Sequence, residues 1–184
     1  MQAIDALLQR RSARTLTAPA PNAGALELIF ASAAAAPDHG RLRPWRFIVI
    51  QGEALGRFGD LLADHLCRKH PTTPAETLQR ERQKAFRAPM IVTVAAICTP
   101  GGKIPVIEQV LSAGAAAQNV MLAAHALGYN SMWKTGGPAY DDVVKAALGL
   151  EAKDAIVGFM YLGTDGSPPE MSARPSWRDL VHQW

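Results

Sequence analysis

Three guanidiniums and a hydroxyl fall within five residues at Arg10-Arg11-Ser12-Ala13-Arg14. Arg presents a planar fork of donors that matches phosphate oxygens two at a time, and a neighbouring Ser adds a short neutral donor without crowding. One terminal phosphate can engage the whole run, so the chemistry it suggests is capture of a phosphorylated cofactor. The competing reading is a solvated basic patch at a helix C-terminus, where cations offset the negative end of the macrodipole.

Two further segments concentrate polar chemistry. Ala36-Pro37-Asp38-His39 is followed by Arg41, Arg43 and Pro44-Trp45, so small residues that permit close backbone approach lead into donors. Asn130-Ser131-Met132-Trp133-Lys134-Thr135-Gly136-Gly137-Pro138 carries a strand end into a Gly-rich turn, where exposed amides, an indole and a cation can meet the edge of a heterocycle. The plain alternatives are a turn capped by Asp38 and a core Trp at position 133. Neither segment has the spacing of a dinucleotide Gly-rich loop or a Walker A loop. Ser112 and His125 are thirteen residues apart on one expected helix, too distant to pair as nucleophile and base.

The elements that must position these residues follow from periodicity. Ile4, Leu7 and Leu8 mark a first helix, and Leu26, Ile29, Phe30 and Ala33 a second. Trp45–Gln51 reads as a strand, and Leu55, Phe58, Leu61, Leu62 and Leu66 as a third helix ending before Pro71–Pro74. A charged helix from about Ala75 to Phe86 precedes the apolar run Met90–Cys98, expected to be a strand covered on both faces. From Pro105 to about Leu127 the chain is aliphatic on every side, which predicts a helix buried in a core or at a subunit interface. Tyr129–Thr135 should be a strand, Asp141–Leu148 a helix and Ala155–Leu162 a last strand. Helices and strands alternating without strict βαβ regularity give an α/β or α+β layered domain. The chain reads as one domain, 1–184, whose extension 166–184 carries Trp177, Leu180, Val181 and Trp184 and is expected to pack on a second subunit.

With 184 residues the chain can bury roughly 70% of its unfolded surface without disulfides or metal. A net charge of +3 and a pI near 9.1 are only mildly basic, and the cations are dispersed outside the N-terminal cluster, which disfavours nucleic acid as partner. Cys67 and Cys98 form no close pair, and no Cys/His group stands at metal-ligand spacing, so a metal centre is not expected. No apolar stretch approaches the ~18 residues of a membrane span, and Met1–Asp5 lacks a basic leader, so a cytoplasmic, membrane-free protein is expected.

Taken together the motifs resemble the nitroreductase family of flavin enzymes, especially its small members. The resemblance spans nearly the whole chain through Arg10-Arg11-Ser12, Ala36-Pro37-Asp38-His39 with Pro44-Trp45-Arg46-Phe47, Phe86-Arg87-Ala88-Pro89, Glu108-Gln109 with Ser112-Ala113-Gly114, Trp133-Lys134-Thr135-Gly136, and Val157-Gly158-Phe159 leading to Tyr161-Leu162-Gly163-Thr164. It implies a central mixed β-sheet flanked by helices, with the long helix at the interface of a homodimer that holds two FMN molecules. It further implies ping-pong hydride transfer from NAD(P)H through flavin N5 to a small flat acceptor such as a nitroaromatic or quinone. No side chain then acts as nucleophile or metal ligand.

Carried over by position, Arg10, Arg11 and Ser12 bind the FMN phosphate and ribityl chain, with Arg14 near the pyrimidine edge. His39 reaches the partner subunit's cofactor, and Trp133, Lys134 and Thr135 line the ring from the other side. Ala123, Ala124, His125, Ala126, Leu127 and Gly128 correspond to a suggested NAD(P) contact. Two positions depart from the family: Ala35 stands where relatives tend to carry a flavin-contacting Arg, and Lys134 where they have Arg, which keeps the charge but loses the bidentate fork. Those departures leave a second reading, a flavin-binding or redox-sensing module without useful turnover.

Overall fold

Two clusters of buried side chains lie on opposite faces of one four-stranded sheet, and the alternation of β2 feeds both of them. In this computed structural model, residues 1–164 and 174–184 are described. Strand β2 (Met90–Ala96) is buried at every position. Met90, Val92 and Val94 join the layer made with α2 (Ala23–Ala34) and α5 (Val106–Ala126), while Ile91 and Ala95 join the layer made with α3 (Glu53–Lys69). Helices on both faces explain why this strand carries no polar alternation.

The strand order is β1 (Trp45–Gln51), β2, β4 (Ala155–Gly163), β3 (Asn130–Lys134), and every neighbouring pair is antiparallel. The α+β layering therefore holds, but a mixed sheet does not. The parallel pairing among the described residues is a single bridge, Ser12 to Ser131. Strand β4 shifts register between Val94 and Ala95 of its partner, and beside that irregularity Gly158 meets Trp133 so closely that a Cβ there would lie 2.1 Å from the indole Nε1.

Each expected helix forms. α1 covers Ala3–Gln9, α4 Ala75–Gln83 and α6 Asp142–Ala147. α1 departs from the sequence pattern in one respect: Ile4, Leu7 and Leu8 face outward and only Ala6 is buried. α5 is likewise covered on one side only. Ala113, Ala116, Ala117, Val120 and Ala124 lie in the core, whereas Ile107 and Leu111 are more than 60% exposed (62% and 63%). Part of the 166–184 extension falls outside the described residues, and in its described part Trp177, Leu180, Val181 and Trp184 are exposed. No helix among the described residues is long and apolar enough to cross a membrane, and no group of His, Cys, Asp or Glu there could hold a metal.

Candidate functional site

The arginine run leaves α1 and is clamped to the sheet immediately afterwards. Arg10 is the C-cap of α1, its backbone N–H donating to Ala6 O at 3.0 Å. Three residues on, Ala13 N–H donates to Ser131 O at 3.0 Å, and Thr17 exchanges backbone bonds with Thr164 at 2.8 and 2.9 Å. These backbone bonds fix residues 10–17 across the ends of β3 and β4, with Arg10 and Arg11 half-buried and Arg14 exposed.

Two of those guanidiniums are only partly satisfied. Arg11 Nη1 donates to Leu8 O at 2.6 Å and to Arg10 O at 3.0 Å, but its Nε is sealed from solvent and unpartnered, as is Arg10 Nη1. Burial, then the charges of Arg174 and Arg11, lowers the pKa of Arg10 from its ordinary value. Arg174 comes from the C-terminal segment and donates from Nη2 to Arg10 O at 2.6 Å. Ser131 Oγ and His125 Nε2 are also sealed and unpartnered. Among the described residues, five buried side-chain polar atoms lack a partner, and all but Thr93 Oγ1 belong to this neighbourhood. Such atoms are uncommon, each costing about 1–3 kcal/mol, and four of the five lie around Arg10 and Arg11.

Beside this cluster a cleft of about 490 Å³ is lined by Ala13, Arg14, Thr15, Arg87, Met132 and Lys134. Three cations surround it, from the N-terminal run, the turn before β2 and the end of β3. Trp133 lies between the lining residues Met132 and Lys134, so strand alternation sends its ring to the other face. There it packs with the α2–α5 core and donates from Nε1 to Val157 O at 3.2 Å. Lys134 and Thr135 are exposed.

His39 sits elsewhere. Asp38 accepts from Leu42 N at 3.2 Å and Arg43 N at 2.7 Å, capping a loop in which Arg41 and Arg43 hold positive φ (55° and 51°). Non-Gly residues seldom adopt that region, so this loop is tightly constrained. His39 Nδ1 meets Glu108 Oε2 at 2.5 Å, and Ser112 Oγ donates to Pro37 O at 2.7 Å, tying the loop to the first half of α5. His125 is in the last turn of that same helix. Seventeen residues at 1.5 Å each separate the two ends by about 25 Å, so one chain does not bring His39 and the arginine cluster together. Ala35, the C-cap of α2, is exposed and contributes no polar group.

At the end of α5, Ala124 is buried and Ala123 half-buried, whereas Ala126, Leu127 and Gly128 are exposed. His125 turns inward. Sequence reasoning did not single out Arg87, Arg174 or Ser131 as contributors to binding chemistry, because each reaches the cluster through tertiary packing.

The Nitroreductase family matches residues 7–164. The chain is 39% identical over 176 residues to YdjA of Escherichia coli (strain K12), a provisionally named NAD(P)H nitroreductase, covering 96% of this chain and 93% of the relative. A nitroreductase-like protein from Bacillus cereus superposes with a TM-score of 0.85 at 25% identity, covering 100% of this chain and 96% of the other. A Desulfovibrio desulfuricans structure described as a nitroreductase in complex with FMN superposes with a TM-score of 0.75 at 26% identity, covering 100% and 97%.

Proposed function

The chain belongs to the nitroreductase family, and from that premise we propose that it is an FMN-dependent oxidoreductase using NAD(P)H to reduce a flat acceptor such as a nitroaromatic or quinone. The observation that carries the reading is the convergence of sealed, unpartnered polar atoms on Arg10, Arg11 and Ser131. A phosphate ester meets that need in charge and in acceptor number. When bound, FMN supplies the two-electron carrier that accepts hydride from NAD(P)H and passes it on in ping-pong alternation.

Arg10, Arg11 and Ser12 would hold the phosphate and ribityl chain, with Arg174 adding positive potential behind Arg10. Arg14, Arg87 and Lys134 line the adjoining cleft, and fixed cations there favour a ring edge that becomes anionic on reduction. Lys134 works as a point charge, so the replacement of Arg weakens geometry more than electrostatics. Thr135 and the following Gly136-Gly137 offer polar atoms at the mouth. Trp133 serves by buttressing β3 against the α2–α5 core. The exposed surface at Ala126, Leu127 and Gly128 offers backbone and small side chains to a nicotinamide nucleotide.

The second half of the site comes from a second copy in this reading. His39 lies about 25 Å along α5 from the arginine cluster of its own chain, a separation suited to serving the partner's cofactor. The exposed Ile107 and Leu111 of α5, together with Trp177, Leu180 and Trp184, supply the apolar surface that a homodimer would cover. A cytoplasmic location accords with the free thiols of Cys67 and Cys98.

The test is the visible absorption spectrum after incubation with FMN and removal of the excess. Retained flavin bands that NAD(P)H bleaches without oxygen are the expected result. Retained bands that NAD(P)H fails to bleach would make the protein a flavin-binding module, and a flat spectrum would overturn the cofactor assignment itself.

A further inference from the structure

The proposed phosphate site leaves one titratable group at its edge without a role. His125 occupies the last turn of α5, half-buried, with Nε2 sealed from solvent and bonded to nothing. α1 packs against α5, and the charge that acts on the imidazole from it is Arg10. Arg11 and Arg174 flank Arg10 in turn. β3 brings the hydroxyl of Ser131, also sealed and unpartnered, and Ala124 and Ala126 beside His125 on its own helix carry no charge. α2 also packs on α5 and carries Glu27, and α1 carries Asp5, but Arg10 is the charge whose effect on the ring is resolved. Burial first and Arg10 second push its pKa below the ordinary value, so both favour the neutral ring in the cofactor-free protein. A phosphate dianion placed on Arg10 and Arg11 reverses that balance, offering an oxygen to Nε2–H and two negative charges to an imidazolium.

We propose that His125 completes the phosphate site as a proton-coupled donor: docking of FMN draws one proton from solvent onto the imidazole, whose Nε2–H then bonds a phosphate oxygen. The inference rests on the phosphate assignment of Arg10, Arg11 and Ser12. The proton balance is simple, since the phosphate stays a dianion and the ring passes from neutral to cationic. Two properties follow: capture of FMN strengthens as pH falls from 8 toward neutrality, and that gain is absent for riboflavin, which has no phosphate.

Calorimetric titration of the cofactor-stripped full-length chain, in two buffers of different ionisation enthalpy at pH 7, reads the proton directly. FMN's own phosphate has a second pKa of about 6, so binding as the dianion releases a fraction of a proton. Net uptake by the wild type therefore needs a titrating protein group. His125→Gln keeps a donor that does not titrate, and it should turn the uptake into a small release and flatten the pH dependence of FMN affinity. In the wild type that affinity should rise by up to about tenfold for each pKa unit that phosphate adds to His125. Nitrogen NMR of the His125 ring in the wild type, with and without FMN or inorganic phosphate, reads the same protonation without any variant. A ring titration unmoved by FMN, or equal proton uptake in wild type and His125→Gln, overturns the role of His125 while leaving the phosphate site standing. FMN binding no tighter than riboflavin at every pH removes the phosphate assignment itself.

Discussion

Asp141 ties the loop after β3 to the body of the protein, and replacing it with Asn isolates one charge. Its side chain is 9% exposed. Oδ1 accepts from Val143 N at 2.9 Å, Val144 N at 3.1 Å and Arg68 Nη2 at 3.1 Å, and Oδ2 pairs with His65 Nδ1 at 2.7 Å. Burial alone would raise its pKa, but the His65 bond, the Val144 N–H and Arg68 outweigh burial and hold the carboxyl at about 2, down from 3.8. A gap of 3.8 − 2 = 1.8 pH units, at about 1.4 kcal/mol per unit, makes the charged form worth about 2.5 kcal/mol to the fold. Asn caps a helix about as well as Asp, so Asp141→Asn keeps the start of α6 and removes only the charge.

The expected loss is about 2.5 kcal/mol near neutral pH, or a Tm lower by roughly 5–10 °C for a chain of this size. Because the folded pKa lies below the unfolded one, the contribution is complete above about pH 5 and is lost progressively as pH falls through 3.8 and then through 2, being gone only near pH 1. Urea melts of wild type and variant at pH 6 and again near pH 2.5 check both claims. The two proteins should differ fully at the first pH, and the gap should shrink to about a third of that at the second. A gap that persists unchanged in acid, or one below about 0.5 kcal/mol at pH 6, would refute the assignment of the stabilisation to ionised Asp141. The effect also bears on the cleft, because His65 Nε2 stands where a Cβ on Gly137 would approach within 2.7 Å, so this pair packs under the turn that follows Lys134 and Thr135.

Arg10→Gln removes the most crowded cation of the cluster, so flavin retained after desalting should drop at least tenfold while the cofactor-free chain melts no lower than wild type; a lower melt with flavin retained would assign Arg10 to the fold. Gly158→Ala puts a methyl group 2.1 Å from Trp133 Nε1, and should cost about 1–3 kcal/mol or more with a shifted tryptophan emission, whereas an unchanged melting curve would show that β3 yields freely there. Ending the chain at residue 166 removes Trp177, Leu180, Val181 and Trp184 and should move the molar mass measured by light scattering from dimer toward monomer or aggregate. An unaltered mass would take the tail out of the interface.

How much of this site could be seen in the sequence depended on whether its donors are neighbours along the chain. Arg10, Arg11 and Ser12 are adjacent, so the phosphate reading could be proposed before any fold was considered. Likewise β1 and β2 declared themselves through short runs of apolar and β-branched residues, and α3 through its helical period. Pairing direction did not: an all-apolar strand such as β2 looks the same whether its neighbours run parallel or antiparallel, because burial on both faces erases the alternation that distinguishes them.

Arg174 and Ser131 reach the cluster, and Arg87 the cleft beside it, from remote points, and a lone residue of each type gives no local signal; His125 was singled out, but for a nucleotide contact. Periodicity found α1 but not its cover, since an apolar stripe marks a surface that is to be covered without saying whether the cover belongs to the same chain. The outward stripe of α1, the open side of α5 and the exposed tail are three such surfaces on one protomer, and His39 sits at the opposite end of α5 from the arginines it was expected to complement. If the proposed site is right, a single chain presents two incomplete half-sites at the two ends of one helix, and two-fold pairing is the simplest symmetry that would join each half to its complement.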